Sequence, residues 1–164
     1  MPKLNLMWDN DSGLIYGDGF INISPFINQE TDNIKRGNVK DINRFADNGE
    51  CEEIIALDVI DYLDIKDVVN TINHWISKLA HGGHIIIGGI DCYEVARNFT
   101  RYNITLMQAN EAIHGKYSEK PYLLKRTQFT LKGLCELLVQ SGLKIVKKRL
   151  DQTTMRMEVE AIRP

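Results

Sequence analysis

Short apolar runs alternate with amphipathic stretches along this chain, a pattern typical of a mainly parallel sheet with helices packed on both faces. Four runs are too short for helices and predict buried strands: Lys3–Leu6, Phe20–Ile23, Glu53–Leu57 and His84–Gly88. A further short segment, Gly37–Asp41, predicts an edge strand or the exit from one. Near the end of the chain, two segments of alternating polarity predict a terminal antiparallel hairpin: Leu143–Arg149 and Met155–Ile162.

The stretch between the two central strands has helical period. Its apolar positions form one stripe: Val68, Val69, Ile72, Trp75, Ile76 and Leu79. Asp64 precedes this stripe as a predicted N-cap, and the pair Gly82-Gly83 predicts the end of the helix. We expect Trp75 and Leu79 to pack against the sheet. Three polar side chains should face water: Lys66, Asn73 and Lys78. A strand, a helix and a strand in this order predict two adjacent parallel strands with a right-handed crossover.

Three further helices are predicted after the central unit. Tyr93–Phe99 and Ile104–Ala112 carry broken helical patterns, and Thr130 is the predicted N-cap of a last helix that Gly142 ends. Between them, Gly115–Lys125 is a basic and aromatic loop, long enough to cover a site or to contact a substrate. Length and pattern together predict one α/β domain over residues 1–164.

Composition narrows the class of protein. The formal net charge of −2 gives no overall basic field, so the basic patch of Lys144–Arg149 does not favour a nucleic-acid partner. Three scattered cysteines, no signal peptide and no apolar run of membrane-spanning length predict a cytoplasmic protein without a membrane partner. His81 and His84 lack a third ligand, so no metal site is predicted, and no G-x-G-x-x-G turn supports a dinucleotide. A homo-oligomer is compatible with the sequence.

Six stretches follow one another in a distinctive order: LNLMWD (Leu4–Asp9), GDGFINIS (Gly17–Ser24), GNVKDI (Gly37–Ile42), EIIALDVIDYL (Glu53–Leu63), LAHGGHIII (Leu79–Ile87) and the closing segment from HGKY to FTLKGLCELLVQSGLKIV. In this order the chain resembles class I S-adenosylmethionine-dependent methyltransferases, and most closely the short predicted methyltransferases that open with LNLGCG. The resemblance implies a Rossmann-like methyltransferase sheet, S-adenosylmethionine as cofactor, and methyl transfer to a small-molecule or sugar-type acceptor.

The resemblance also implies which positions contact the cofactor: Met7, Trp8, Asp9, Ser24, Asn38, Val39 and Leu57. In the family, a Gly-rich turn after the first strand lets the backbone approach the cofactor, and here that turn is Met7-Trp8-Asp9. The family's acid at the end of the second strand accepts from the ribose hydroxyls, and here it is Ser24. The acid that accepts from the adenine amino group is Asn38, whose amide oxygen can still accept.

Candidate catalytic residues follow the fourth strand of the family pattern, where these enzymes place the methyl acceptor. Asp58 or Asp61 would take up the proton of an acceptor hydroxyl. Alternatively, Asp61 caps the turn into the next helix. Gly88, Gly89 and Asp91 either line the same cleft or form a tight exit from the strand.

Two hypotheses of different classes remain from the sequence. The protein is a working methyltransferase with an unusual cofactor turn, or it is a methyltransferase-like domain without catalysis that serves as a binding or assembly module. The Met7-Trp8-Asp9 turn favours the second, and weak or absent binding of S-adenosylmethionine is expected.

Overall fold

A computed structural model describes residues 1–9, 15–17 and 19–164. Its strands are β1 (Lys3–Leu6), β2 (Phe20–Ser24), β3 (Ile34–Arg36), β4 (Cys51–Leu57), β5 (Leu79–Ile90), β6 (Lys144–Asp151) and β7 (Arg156–Ile162). Its helices are α1 (Ile65–Lys78), α2 (Cys92–Thr100), α3 (Leu106–His114) and α4 (Leu131–Gln140). Two short 3₁₀ turns cover Ile60–Tyr62 and Pro121–Leu123. None of the helices in these residues is both long and apolar enough to cross a bilayer.

The seven strands form one sheet in the order β3-β2-β1-β4-β5-β7-β6. The first five strands in that order are parallel, and β7 pairs antiparallel with both β5 and β6. The predicted central trio is confirmed, since β1 lies beside β4 and β4 beside β5. The terminal hairpin is also confirmed, with Lys144 opposite Ile162 and Asp151 opposite Arg156.

Both faces of the central strands are covered. In β4, the consecutive residues Ile54, Ile55 and Ala56 are all buried, although neighbouring side chains on a strand point to opposite faces. Trp75 and Leu79 are fully buried in the same core, as expected, and the indole Nε1 of Trp75 donates to the Val39 carbonyl at 2.7 Å. This architecture is the predicted Rossmann-like sheet with a C-terminal antiparallel hairpin.

The predicted end of the central helix is wrong. Helix α1 stops at Lys78, because Leu79 already pairs with Cys51 and begins β5, which runs through Gly82 and Gly83. The expectation that Lys78 faces water is also wrong: the side chain is 3% exposed, and its ammonium donates to the Oδ1 atoms of two asparagines, Asn43 and Asn48, at 2.5 and 2.9 Å. Lys66 and Asn73 are exposed as expected, whereas Val69 of the predicted apolar stripe is 45% exposed.

The edge strand of the sheet lies slightly earlier in the chain than the segment predicted from the apolar pattern. Strand β3, Ile34–Arg36, pairs with the end of β2, and Gly37–Asp41 is the exit from that strand and not a strand itself. The three later helices are confirmed in order. Thr130 is the N-cap of α4, where its hydroxyl accepts from the Gly133 amide at 3.0 Å.

The strand order places a topological switch between β1 and β4. From β1 the chain proceeds outwards to β2 and β3, and it then returns to the other side of β1 to build β4 and β5. In open α/β sheets, ligands bind in the crevice outside the carboxyl ends of the strands at such a switch. We therefore expect a ligand site at the residues that follow β1 and β4.

Candidate functional site

The crevice at the topological switch is bridged by two aromatic rings. Trp8 directly follows the residue after β1, and Tyr62 ends the 3₁₀ turn after β4. Their rings are stacked, with centroids 5.5 Å apart and planes 1° from parallel. Because the two rings contact each other face to face, no other planar group can lie between them. The stack therefore connects the residues after β1 to the residues after β4.

Two more rings extend this contact. Phe26, just beyond β2, meets Trp8 edge to face at 5.3 Å and stacks on Tyr122 at 4.0 Å with an interplanar angle of 11°. The Trp8 indole Nε1 donates to the Tyr122 carbonyl at 2.7 Å. We call Trp8, Phe26, Tyr62 and Tyr122 the aromatic cluster. It ties the predicted loop Gly115–Lys125 down over the carboxyl ends of β1 and β2.

Besides Trp8, three of the predicted cofactor positions lie beside this cluster and make contacts within the protein. Met7 is buried, and its amide donates to the Ile23 carbonyl at 2.8 Å. Asp9 is 4% exposed and pairs with Lys120 at 3.4 Å. The Ser24 hydroxyl donates to the Trp8 carbonyl at 3.3 Å and accepts from the amide two residues on at 3.3 Å.

The remaining predicted cofactor positions make contacts elsewhere. Asn38 is exposed, and its Oδ1 accepts from the Lys40 amide at 3.0 Å, which closes a local turn. Val39 is fully buried beneath α1. Leu57 is half-buried at the end of β4 and packs beside Gly88. Asn38 therefore stabilises a local turn, and Val39 and Leu57 pack within the protein.

A cavity of about 500 Å³ opens at the switch, beyond the carboxyl ends of β4 and β5, and Asp9 after β1 also lines it. We call it the β4–β5 cavity. Asp58 and Tyr62 line it from β4, Ile90 from β5, and Arg156 from the start of β7. The loop Gly115–Lys125 contributes further lining.

Asp58 lies on the wall of this cavity in an unusual backbone conformation. Its φ is +56°, in the left-handed region that Asp tolerates better than most residues. Its carboxylate accepts from the Nη2 atom of Arg156 at 2.6 Å. Met155, another lining residue, also has a positive φ, of +58°. A positive φ costs free energy in most residues and occurs both in tight turns, as at Met155, and at functional sites.

Asp61 is buried behind the cavity, 1% exposed as a side chain. Its Oδ2 atom pairs with the Lys125 ammonium at 3.3 Å and accepts from the Ile90 amide at 3.4 Å. Its backbone carbonyl accepts from the amides of Arg126 and Thr127 at 2.7 and 3.0 Å. Asp61 therefore holds the end of the loop Gly115–Lys125 against the turn after β4. The N-cap residue of α1 is Asp64.

Burial raises the pKa of two side chains that follow β4, Asp61 and Tyr62. Desolvation raises the pKa of Asp61, the Lys125 ammonium opposes that rise, and the nearby Asp58 carboxylate adds to it. Desolvation and the same two aspartates raise the pKa of Tyr62 to about 12. Asp61 is thus a weaker acid than an exposed aspartate, whereas Tyr62 stays protonated at neutral pH.

The glycines and the aspartate after β5 are structural. A Cβ at Gly88 would lie 2.5 Å from the Met157 carbonyl oxygen, and one at Gly89 would lie 2.9 Å from Asp61 Oδ1. Asp91 is the N-cap of α2, and its carboxylate also accepts from the first amide of α4, at 2.8 Å. These residues support the cavity and do not line it.

No metal centre is formed within the described ranges. No group of three or more histidine, cysteine or acidic side chains is arranged to hold an ion there. His81 lies 2.7 Å from the Pro164 carbonyl oxygen, and His84 pairs with Glu160 at 3.0 Å.

Comparison with known proteins supports the fold and goes no further. No protein-family model matches the sequence, and no curated protein matches it either. Solved structures do match, among them an S-adenosylmethionine-dependent methyltransferase from Mesorhizobium loti, with a TM-score of 0.66 at 13% identity. That match covers 99% of this chain and 90% of the other.

Two further structures are similar over 99% of this chain. A putative methyltransferase from Haloferax volcanii, solved in complex with the methyltransferase activator Trm112, gives a TM-score of 0.63 at 11% identity over 82% of its length. The 1,6-didemethyltoxoflavin-N1-methyltransferase of Burkholderia thailandensis, with bound S-adenosylhomocysteine, gives 0.62 at 10% identity over 71%. At these identities the chain shares the class I S-adenosylmethionine-dependent methyltransferase fold with its neighbours.

Proposed function

We propose that this protein is a binding module with a methyltransferase fold, whose cofactor crevice is closed by its own side chains and whose β4–β5 cavity takes a small polar molecule. The observation that carries the proposal is the stack of Trp8 on Tyr62 across the topological switch. Trp8 belongs to the Met7-Trp8-Asp9 turn, which stands where the LNLGCG pattern has its glycine turn. Asp61 and Asp58 then serve as supporting and lining groups.

The residues present do not fit S-adenosylmethionine. Ser24 brings no charge to the ribose position and is already hydrogen-bonded to the Trp8 backbone. Replacing an acid by serine forfeits about 1.5–3 kcal/mol, and filling the turn with side chains costs at least about 1 kcal/mol more. If an intact relative binds at about micromolar strength, these losses move the dissociation constant towards about a millimolar.

A working methyltransferase acting on a small-molecule or sugar-type acceptor is the second candidate. It is favoured by the presence of Asp58 and Tyr62 on the wall of one cavity, which brings a carboxylate and a hydroxyl to the same space. A third use of the same fold is assembly with another protein. The Haloferax volcanii neighbour was solved in complex with an activator, which supports testing for a partner.

Calorimetric titration with S-adenosylmethionine and S-adenosylhomocysteine separates these functions. We expect heats too weak to fit, or a dissociation constant of about a millimolar. A dissociation constant of about a micromolar for the unmodified protein would restore the methyltransferase and remove the proposal.

A further inference from the structure

The walls of the β4–β5 cavity carry charges of both signs in matched pairs. Arg156 lies 2.6 Å from Asp58, and Lys120 lies 3.4 Å from Asp9. On the α3 side, a third pair joins Lys116 and Glu111 at 3.8 Å. All of these residues line the cavity, and they come from separate parts of the chain. The cavity therefore presents ammonium, guanidinium and carboxylate groups within one space of about 500 Å³.

Matched charges select against ligands with one charge. An anion that approaches Arg156 is repelled by Asp58, and a cation that approaches Asp58 is repelled by Arg156. A molecule that carries both charges on neighbouring atoms interacts favourably with both partners, through two charge-assisted hydrogen bonds. Arg156 is 43% exposed as a side chain, so its pair with Asp58 can open towards a ligand at small cost.

The remaining wall is mixed. Ile90, Leu123 and Met155 contribute apolar surface, and the polar or charged residues of this wall are Gln108, Glu119, Lys125 and Thr153. Tyr62 supplies the single aromatic ring among its described lining residues, and Trp8 covers one face of that ring. A sugar, which usually stacks on an open aromatic face, is less well served by this wall than an aliphatic side chain.

Resting on the proposed function, we propose that the β4–β5 cavity binds the zwitterionic head of an amino acid with an aliphatic side chain. The ligand ammonium lies at Asp58, its carboxylate lies at Arg156, and its side chain lies against Ile90 and Met155. The positive φ of Asp58 is a second observation at this wall, because such strain is often retained at ligand-binding sites. The positive φ of Met155 is explained by the turn between β6 and β7.

Ligand-observed NMR with the full chain tests this assignment. The apolar L-amino acids are tested singly, beginning with L-leucine, together with two analogues of L-leucine: 3-methylbutylamine, which lacks the carboxylate, and 4-methylpentanoate, which lacks the amine. We expect an amino acid to bind and both analogues to bind about tenfold more weakly or worse. Equal binding of one analogue, binding of D-glucose alone, or no binding by any amino acid would overturn the proposal.

Matched variants locate the ligand. Arg156→Gln and Asp58→Asn should each weaken binding by about tenfold, and asparagine keeps the left-handed backbone accessible at position 58. Arg149→Gln is the control, because Arg149 lies in the same hairpin and pairs with Glu158 outside the cavity. Equal loss of affinity in Arg149→Gln would show that the effect is structural and would overturn the assignment.

One further probe separates this inference from the proposed function. 5′-Methylthioadenosine carries the nucleoside of the cofactor without the amino-acid head. If it binds, the crevice is open and the proposed function fails. If it does not bind and no amino acid binds either, the crevice is closed as proposed and only the assignment of the ligand class is wrong.

Discussion

Both sides of the topological switch lie at the carboxyl ends of parallel strands, but different interactions stabilise them. On the β1–β2 side, four aromatic rings pack against one another over the crevice, and a cavity of about 430 Å³ lies beside Phe26 and Tyr122. On the β4–β5 side, ion pairs surround a cavity that remains open. The sheet beneath is common to both sides. The comparison shows that stacked rings dominate one group of strand ends, whereas ion pairs dominate the other.

The two sides should therefore respond differently to perturbation. Stacked rings contain no titrating carboxylate, so their contribution to stability should not change between neutral and mildly acidic pH. The buried pair of Asp61 and Lys125 should change, because the pKa of Asp61 is raised by burial and depends on its partner.

Lys125→Met should cause the largest loss of stability. It leaves the carboxylate of Asp61, 1% exposed, without its counterion, and breaking a buried pair in this way costs about 3–5 kcal/mol. The free energy of unfolding from urea denaturation measures this loss. The double variant Asp61→Asn with Lys125→Met removes both charges, so it should recover most of the stability. If Lys125→Met alone is as stable as the unmodified protein, the pair does not hold the loop.

Acid should relieve the defect of Lys125→Met. Because the pKa of Asp61 is raised in the folded state, the folded protein takes up this proton at a higher pH than the unfolded chain. The contribution of Asp61 to stability therefore increases as the pH falls through its folded-state pKa. The difference in unfolding free energy between Lys125→Met and the unmodified protein should be smaller at mildly acidic than at neutral pH. A difference that is independent of pH would contradict this origin.

Reversing the crevice substitutions should reopen the closed side. Met7→Gly, Trp8→Cys, Asp9→Gly and Ser24→Asp together restore a glycine turn and a ribose-binding acid. We expect S-adenosylhomocysteine to bind on the order of a hundredfold more tightly, from the roughly 2.5–4 kcal/mol attributed to those two features. Calorimetry measures the change, and Ser24→Asp alone serves as the partial control. An unchanged affinity in the fourfold variant would mean that the turn does not close the crevice.

Removing one ring of the cluster should have the smallest effect. Tyr122→Leu abolishes the stack on Phe26 at a cost of about 1 kcal/mol, equal at neutral and mildly acidic pH. Tyr122→Phe keeps the ring and should stay closer to the unmodified protein. Tyr117→Leu, in the same loop and 56% exposed, should change nothing. If Tyr122→Phe and Tyr122→Leu lose the same stability, the hydroxyl and not the stack is responsible.

Much of the fold could be predicted because its signals are local. The apolar runs of β1, β4 and β5 are short and continuous, and the spacing of the two alternating segments fixes the hairpin. The errors occurred where a long-range contact overrides local preference. Gly82-Gly83 was expected to end a helix, yet pairing of Leu79 with Cys51 had already started a strand. Lys78 was expected to face water, yet two distant asparagines satisfy its ammonium.

The site could be predicted only in part for the same reason. Its position followed from the strand ends, and the Met7-Trp8-Asp9 turn drew attention to the crevice. The contacts that fill the crevice could not be predicted, since Tyr122 lies 114 residues beyond Trp8 and no periodicity joins them. Arg156 likewise reaches Asp58 across 98 residues. Such partners become visible only when the sheet order is known.

The indole N–H signals of the two tryptophans test the closed crevice most directly. In a two-dimensional NMR spectrum, Trp8 reports on the crevice through its bond to the Tyr122 carbonyl, and Trp75 reports on the core through its bond to Val39. We predict that adding S-adenosylhomocysteine to concentrations of about a hundred micromolar leaves both signals in place. A saturable shift of the Trp8 signal at micromolar ligand, with Trp75 unchanged, would contradict the account.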